Sequence, residues 1–287
     1  MIINNLFHLL FVFFFLLLDY SFSQNNHSEK EMYQFPKHPT LQKALKKKHP
    51  EKVKYIHIEE YDDSIFPNND ILKFKNVEHI IVYGKQRLRK TKCDTLQKLT
   101  NIRIDKNKLS QLTNLKYLQF AYIYFGGFPV ELCFLKQLKG LSISFCFIDS
   151  IPKEITNLKS LEVLELRLNN IKFLPKEIAT LNNLLILDLT NNSITKLPEE
   201  VSEMKSLKKI NFSNEESKKD VNEADYRLPY PIHTNKIDYV ADGKLFIYLL
   251  NMPKLQRICV SVDNPNKELQ TKSVVIDKLL LKKISWF

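Results

Sequence analysis

The chain is expected to fold as an α/β solenoid: a horseshoe with a parallel concave β-sheet and a convex side of short helical or 3-10 turns. Three observations lead there. First, one pattern occurs three times between Leu138 and Ser206. Leu138-x-x-Leu141-x-Ile143 is followed by Ile151-Pro152-Lys153-Glu154-Ile155, and Leu161-x-x-Leu164-x-Leu166 by Leu174-Pro175-Lys176-Glu177-Ile178. Leu184-x-x-Leu187-x-Leu189 is followed by Leu197-Pro198-Glu199-Glu200-Val201. Second, the leading leucines are 23 residues apart each time, and a fixed period of about 20–29 residues marks stacked supersecondary units. Third, side chains alternate across a strand, so Leu164 and Leu166 point inward while Val163, Glu165 and Arg167 point outward.

Within each unit the chain must leave the strand and return on the opposite side. Pro175 fixes φ and removes a donor where the backbone leaves the sheet. Ile178 and Leu181, three apart, re-enter the core on a helical or 3-10 turn. A fully buried apolar side chain is worth roughly 1.5–3 kcal/mol, and only stacking against a neighbour buries those of one unit. The ninth position of the repeat carries Asn107, Cys146, Asn169 and Asn192. A buried amide there must satisfy backbone groups left unpaired by the turn. Cys146 in that series is expected to be structural, and Ile123 to loosen its turn.

The elements follow in order. Leu6 to Leu18 is an apolar run broken only by His8, too short for a membrane span of about 20 residues. Ser21-Phe22-Ser23 supplies small residues after it, so 1–23 reads as a signal peptide. Residues 1–5 lack Lys and Arg, which leaves an uncleaved anchor as the alternative. Residues 24–39 form a polar tether. Residues 40–52 form an N-terminal cap, with a helix from Leu41 to Lys48 started by Thr40. Such a cap covers the first strand edge. Repeats fill 53–212, opening with Val53-x-x-Ile56-x-Ile58 and Val77-x-x-Ile80-x-Val82. Leu99-x-x-Ile102-x-Ile104 reads as a third strand. Leu115 then starts the next repeat after an interval shorter than the others, and from there one period holds through Leu207. Residues 213–244 read as an irregular insertion. Residues 245–287 read as a degenerate repeat and C-terminal cap, with a helix over 245–250 and strands at Leu255-x-x-Ile258-x-Val260 and Leu281-x-x-Ile284-x-Trp286.

Composition narrows the function classes. The 287 residues are 44% hydrophobic, with five glycines and twelve prolines, which excludes a fibrous or disordered chain. Cysteines 93, 133, 146 and 259 form neither a disulfide framework nor a metal-ligand spacing. There is no nucleophile elbow, phosphate-binding glycine loop or zinc motif. His57 and His79 share the concave face, with no third ligand in phase except Glu59. Glu165 and Asp188 stand in one column as a carboxylate pair, which reads as ligand contact or solvated surface rather than a hydrolytic pair. No enzyme, cofactor, metal or small-molecule substrate is expected.

These motifs resemble the leucine-rich-repeat superfamily, specifically the 23-residue class with Leu-Pro-x-Glu-Ile that is widespread in bacterial proteins and occurs in some eukaryotic signalling proteins, and the chain looks like the exported bacterial type. The likeness covers 40–212 well and 245–287 weakly. It implies a binding scaffold for proteins without chemistry of its own. Members that are enzymes carry a separate catalytic domain, and the stretch after Phe212 leaves little room for one.

Two surfaces are candidates for the partner. Outward positions of the middle repeats include Tyr117, Gln119, Ser142, Glu165, Arg167 and Asp188. At the eighth position Tyr122, Phe145 and Leu168 succeed one another, predicting an exposed apolar ladder with about 5 Å between steps. Apolar patches and aromatic residues mark interaction sites. The alternative is a basic segment, Lys85 to Lys108, with nine Lys and Arg against Asp94 and Asp105. It would suit an anionic glycan, a membrane surface or an acidic protein. It has no interleaved aromatics for nucleic acid.

Overall fold

The computed structural model describes residues 39–61, 64–84, 102–212, 249, 252–263 and 271–277. The signal peptide, most of the tether, most of the basic segment, the insertion at 213–244 and the strand expected at 281–286 lie outside the described residues.

Helix α1 spans Leu41–Leu45 and is capped by Thr40, whose side chain accepts from Lys43 N. It is shorter than expected and buries only Ala44. Pro39 and Thr40 do the covering: His57 N donates to Pro39 O at 3.0 Å, and Thr40 bridges His57 in parallel. The first strand, β1, runs Tyr55–Tyr61; β2 is Ile65–Phe66 and β3 is His79–Gly84. Next come β4 (Arg103–Ile104), α2 (Lys106–Leu109), β5 (Tyr117–Ala121) and β6 (Gly140–Ser144). Strands β7 (Val163–Glu165), β8 (Ile186–Asp188) and β9 (Lys209–Asn211) are short, and β10 (Arg257–Asp263) and β11 (Thr271–Asp277) follow.

Two sheets are present among the described residues. The larger has nine strands in the order β1-β3-β5-β6-β7-β8-β9-β10-β11, and β2 pairs with β4 in the other. All pairings from β1 to β10 are parallel, and β11 turns back antiparallel on β10. The register aligns Ile56, Ile80, Leu118, Leu141, Leu164, Leu187, Ile210 and Ile258 in one row. Every member of the row is buried, so each repeat stacks its leucine on the next.

The return side is built as the prolines require. The 3-10 segments Val130–Phe134, Lys153–Asn157, Lys176–Thr180 and Glu199–Glu203 each follow a proline with φ between −67° and −73°. Leu181 N donates to Ile178 O and Leu184 N to Leu181 O, which makes the three-residue apolar spacing a succession of turns. The solenoid expected from the repeat is therefore the fold observed.

One strand assignment is corrected. Ile102 and Ile104 do not enter the main sheet, because β3 pairs directly with β5. Instead β4 pairs with β2 on the return side, Phe66 opposite Ile104. Leu109, Leu112 and Leu115, all buried, then repeat the spacing of Ile178, Leu181 and Leu184. The repeat from Val77 to Leu115 is thus one long unit, not a full and a shortened one. A two-residue strand on either sheet shows the same alternation, so periodicity alone does not tell them apart. Asn107 consequently sits exposed in α2, where Asp105 caps the helix, and has no place in the asparagine series.

That series is otherwise as the turn demands. Asn169 Oδ1 accepts from Cys146 N and Ile148 N at 3.0 and 3.1 Å, and Nδ2 donates to Ile143 O, Leu166 O and Arg167 O. Asn192 repeats the arrangement on Ile171 N, Leu166 O and Leu189 O. Cys146 is buried beside them, its Sγ donating to Ser144 O, and burial pushes its thiol up to about 12. It is a packing residue and not a nucleophile.

Charges line one margin of the sheet. The Glu78 carboxylate lies between Lys116 Nζ (2.6 Å) and Lys54 Nζ (2.7 Å). Hydrogen bonds from Lys116 first and Lys54 second hold its carboxyl down to about 2. A depressed acid stabilises the fold above the ordinary value of 4.5 and loses that contribution as pH falls toward 2. Glu78→Gln is expected to cost under about 1 kcal/mol at neutral pH, as surface pairs do. Melting curves from pH 6 to 2 check this: the gap between the two proteins closes at the acid end, and a constant gap refutes it.

Candidate functional site

The face of the sheet turned away from the 3-10 segments carries the candidate residues. Register places Tyr55, His79, Tyr117, Gly140, Val163 and Ile186 in one outward row. His57, Ile81, Gln119, Ser142, Glu165 and Asp188 form the next. Gly140 is needed where it stands: a Cβ there would lie 2.6 Å from the Tyr117 ring, which leans across it.

Two members of the expected ladder are in ring contact, and a residue outside it extends the row. Tyr122 and Phe145 stack with centroids 4.6 Å apart and planes 25° apart. Tyr83 extends the row, stacked on Tyr122 at 6.3 Å, and the His57 ring meets Tyr83 edge-on at 5.2 Å. Tyr122, Phe145 and Leu168 are all half-buried. Tyr83 was missed because the misplaced strand at 102–104 put a repeat between it and Tyr122. Direct pairing of β3 with β5 makes them neighbours. Gly84 belongs to this junction, since a Cβ on it would come within 2.1 Å of Tyr122 O.

Backbone geometry at the ladder is unusual for its residue types. Tyr122, Phe145 and Leu168 have φ of 59°, 55° and 55°, and Asn191 takes the same position at 52°. The left-handed region costs a non-glycine residue roughly 1–2 kcal/mol, with asparagine the tolerated exception. Asn191 is thus the residue the turn prefers, and the three apolar ones occupy it against that preference. Asn169 bonds the Cys146 and Ile148 amides just after Phe145, Asn192 bonds Ile171 N, and Leu168 N is anchored on Thr190 O at 2.9 Å.

The polar candidates divide. Glu165 and Arg167 are half-buried. Asp188 is only 7% exposed: Oδ1 accepts from Thr190 N (3.0 Å) and Thr190 Oγ1 (2.6 Å), and Arg167 Nε lies 3.9 Å from Oδ2. It ties down its own turn instead of standing open beside the ladder. Ile186, Asn191 and Asn211 are buried with it. The histidines are not brought together as ligands, for His79 lies between Tyr55 and Tyr117 at 6.4 and 5.5 Å. Among the described residues no group of three or more His, Cys, Asp or Glu could hold a metal ion, and no helix is long and apolar enough to cross a membrane. Of the basic segment only 102–108 is described. There Lys106 Nζ sits 3.5 Å over the Phe134 ring.

A family model described as a leucine-rich repeat region matches residues 129–286, more than half the chain. No curated protein sequence matches. Among solved structures, an internalin of Listeria monocytogenes is 16% identical with a TM-score of 0.45, over 76% of this chain and 58% of that one. A leucine-rich-repeat protein of Leptospira interrogans is 21% identical with a TM-score of 0.40, over 71% and 52%. The ectodomain of a plant receptor kinase from Arabidopsis thaliana, solved in complex with Casparian strip integrity factor 2, is 18% identical with a TM-score of 0.42, over 72% and 20%. The chain therefore spans about half the length of the bacterial structures and a fifth of the plant one.

Proposed function

Because this chain belongs to the leucine-rich-repeat family, we propose that it is a non-enzymatic scaffold that binds a partner protein on the outward face of its sheet. Leucine-rich-repeat regions commonly mediate protein–protein interaction. The observation that carries the reading here is the row of Tyr83, Tyr122 and Phe145, stacked and half-buried, with Tyr122 and Phe145 on strained turns. Strain and exposed aromatic area have no use in a scaffold that packs only on itself. The row is fixed by stacking and, at Phe145, by the Asn169 bonds to the following amides, so little side-chain entropy is lost when a partner seats on it. We further propose export through the apolar run at Leu6–Leu18, which N-terminal sequencing of the native protein tests.

The binding reading is tested with the full chain and its captured partner. Changing Tyr122, Phe145 and Leu168 together to Ala is expected to weaken binding at least about ten-fold. The melting temperature should move by no more than about 5 °C. The complex should also persist in high salt, since an apolar contact is not screened. Unchanged affinity in the triple variant removes the basis of the proposal.

A further inference from the structure

The outward face changes character along the array, and the change limits what can sit on it. On β3, β5 and β6 the outward positions carry rings, hydroxyls and an amide, among them Tyr83, Tyr117, Gln119, Tyr122, Ser142 and Phe145. None of the outward positions on these three strands is a lysine, arginine, aspartate or glutamate, in a chain of which 26% is charged. At β8 and β9 most of the face closes: Ile186, Asp188, Asn191 and Asn211 are 4–7% exposed and only Lys209 stays half-buried, whereas on β3, β5 and β6 the closed positions are the scattered His79, Ala121 and Gly140 between half-buried neighbours. The open zone therefore runs from β1 to β7, five neighbouring strands.

Strands about 4.8 Å apart and residues about 3.3 Å apart make this zone roughly 20–24 Å by 17–20 Å. That is on the order of 400 Å², about half of the ~800 Å² that one side of a globular interface covers. An extended polypeptide crossing it needs about seven residues. Such a segment brings an unpaired N–H and C=O at every residue, which Gln119, Ser142 and the Tyr83 and Tyr117 hydroxyls can meet without any charge. A sugar ring would instead need an open aromatic face, and both faces of Tyr122 are taken by Tyr83 and Phe145.

We propose that the occupant is an extended, uncharged segment of about seven residues in the partner polypeptide, laid across β1 to β7 with its apolar side chains against the Tyr83–Tyr122–Phe145 row. This rests on the protein-binding reading above. The test is selection from a phage-displayed library of random heptapeptides on the full chain. Counter-selection uses a Tyr83→Ser/Tyr122→Ser variant and, because that variant loses packing, also Ser142→Arg, which places a charge in the middle of the zone and leaves the core untouched. Neutral, apolar heptapeptides that lose about ten-fold or more in affinity on both variants support the proposal. Charged consensus sequences, binding kept by Ser142→Arg, or no enrichment overturn it. If the whole partner still depends on Tyr122, Phe145 and Leu168 while no heptapeptide binds, only the extended-segment inference falls. If neither depends on them, both readings fall.

Discussion

Asn169→Ala is expected to lower stability by about 3–5 kcal/mol, one of the two largest effects that the packing of the array predicts for single changes to polar groups or rings. The asparagine side chain makes five hydrogen bonds to the backbone of two repeats, and it is buried. Alanine leaves the Cys146 and Ile148 N–H groups and the Ile143 carbonyl without their partner in a dry interior. Each orphan costs about 1–3 kcal/mol. For a chain of this size the melting temperature falls by roughly 10 °C. Hydrogen exchange is the sharper measurement, because the amides of Cys146 and Ile148 should lose protection while those of β1 and β3 keep theirs. Stacked repeats share energy only with their neighbours, so the damage stays local. A loss under about 1 kcal/mol would mean that water replaces the side chain.

Phe120→Ala is expected to cost about 3–5 kcal/mol by the rule for buried aromatic truncations. The ring is fully buried and meets Phe66 at 5.0 Å and Phe125 at 5.2 Å, both edge to face. Its loss opens a cavity between β5 of the main sheet and β2 of the small one. The consequence extends beyond β5, because Phe66 pairs opposite Ile104 and so positions β4 and α2. Urea titration gives the stability change, and Phe120→Leu should recover more than half of it. Equal losses for Leu and Ala would show that edge-to-face geometry matters more than volume.

These two residues differ in how readable they are. Asn169 is placed by phase: once the period is known, the ninth position falls on a turn, and only an amide serves donors and acceptors there together. Phe120 is readable as inward, but its contact with Phe66 is not, because a whole repeat and a second sheet lie between them in the chain. Alternation assigns Asp188 to the outward face, and it is there; alternation carries no information on what covers a face, so the burial of Ile186, Asp188 and Asn191 had no signal. Tyr83 was lost to a single ambiguity, an Ile-x-Ile at 102–104 that suits either sheet. The identity of the ladder was legible at Tyr122, Phe145 and Leu168 because they recur in phase. Its left-handed backbone was not, since nothing in a tyrosine, phenylalanine or leucine announces positive φ.

The asparagine bonds have a direction with a consequence for how such a chain can change over generations. Asn169 serves the turn at Cys146 and Ile148, and Asn192 the turn at Ile171: each amide reaches back by one unit. Excising 161–183 joins Ser160 to Leu184 in phase, and Asn192 then falls where Asn169 stood, onto the same two amides. The units in the middle of the array are interchangeable in register, so removal of one leaves its neighbours' bonds in place. A deletion one residue shorter or longer than a full unit has no such freedom, because one step along a strand sends every leucine to the wrong side. From Leu115 to Leu207 the leading leucines keep a spacing of 23 residues, and there only a change by a whole unit leaves every row in phase.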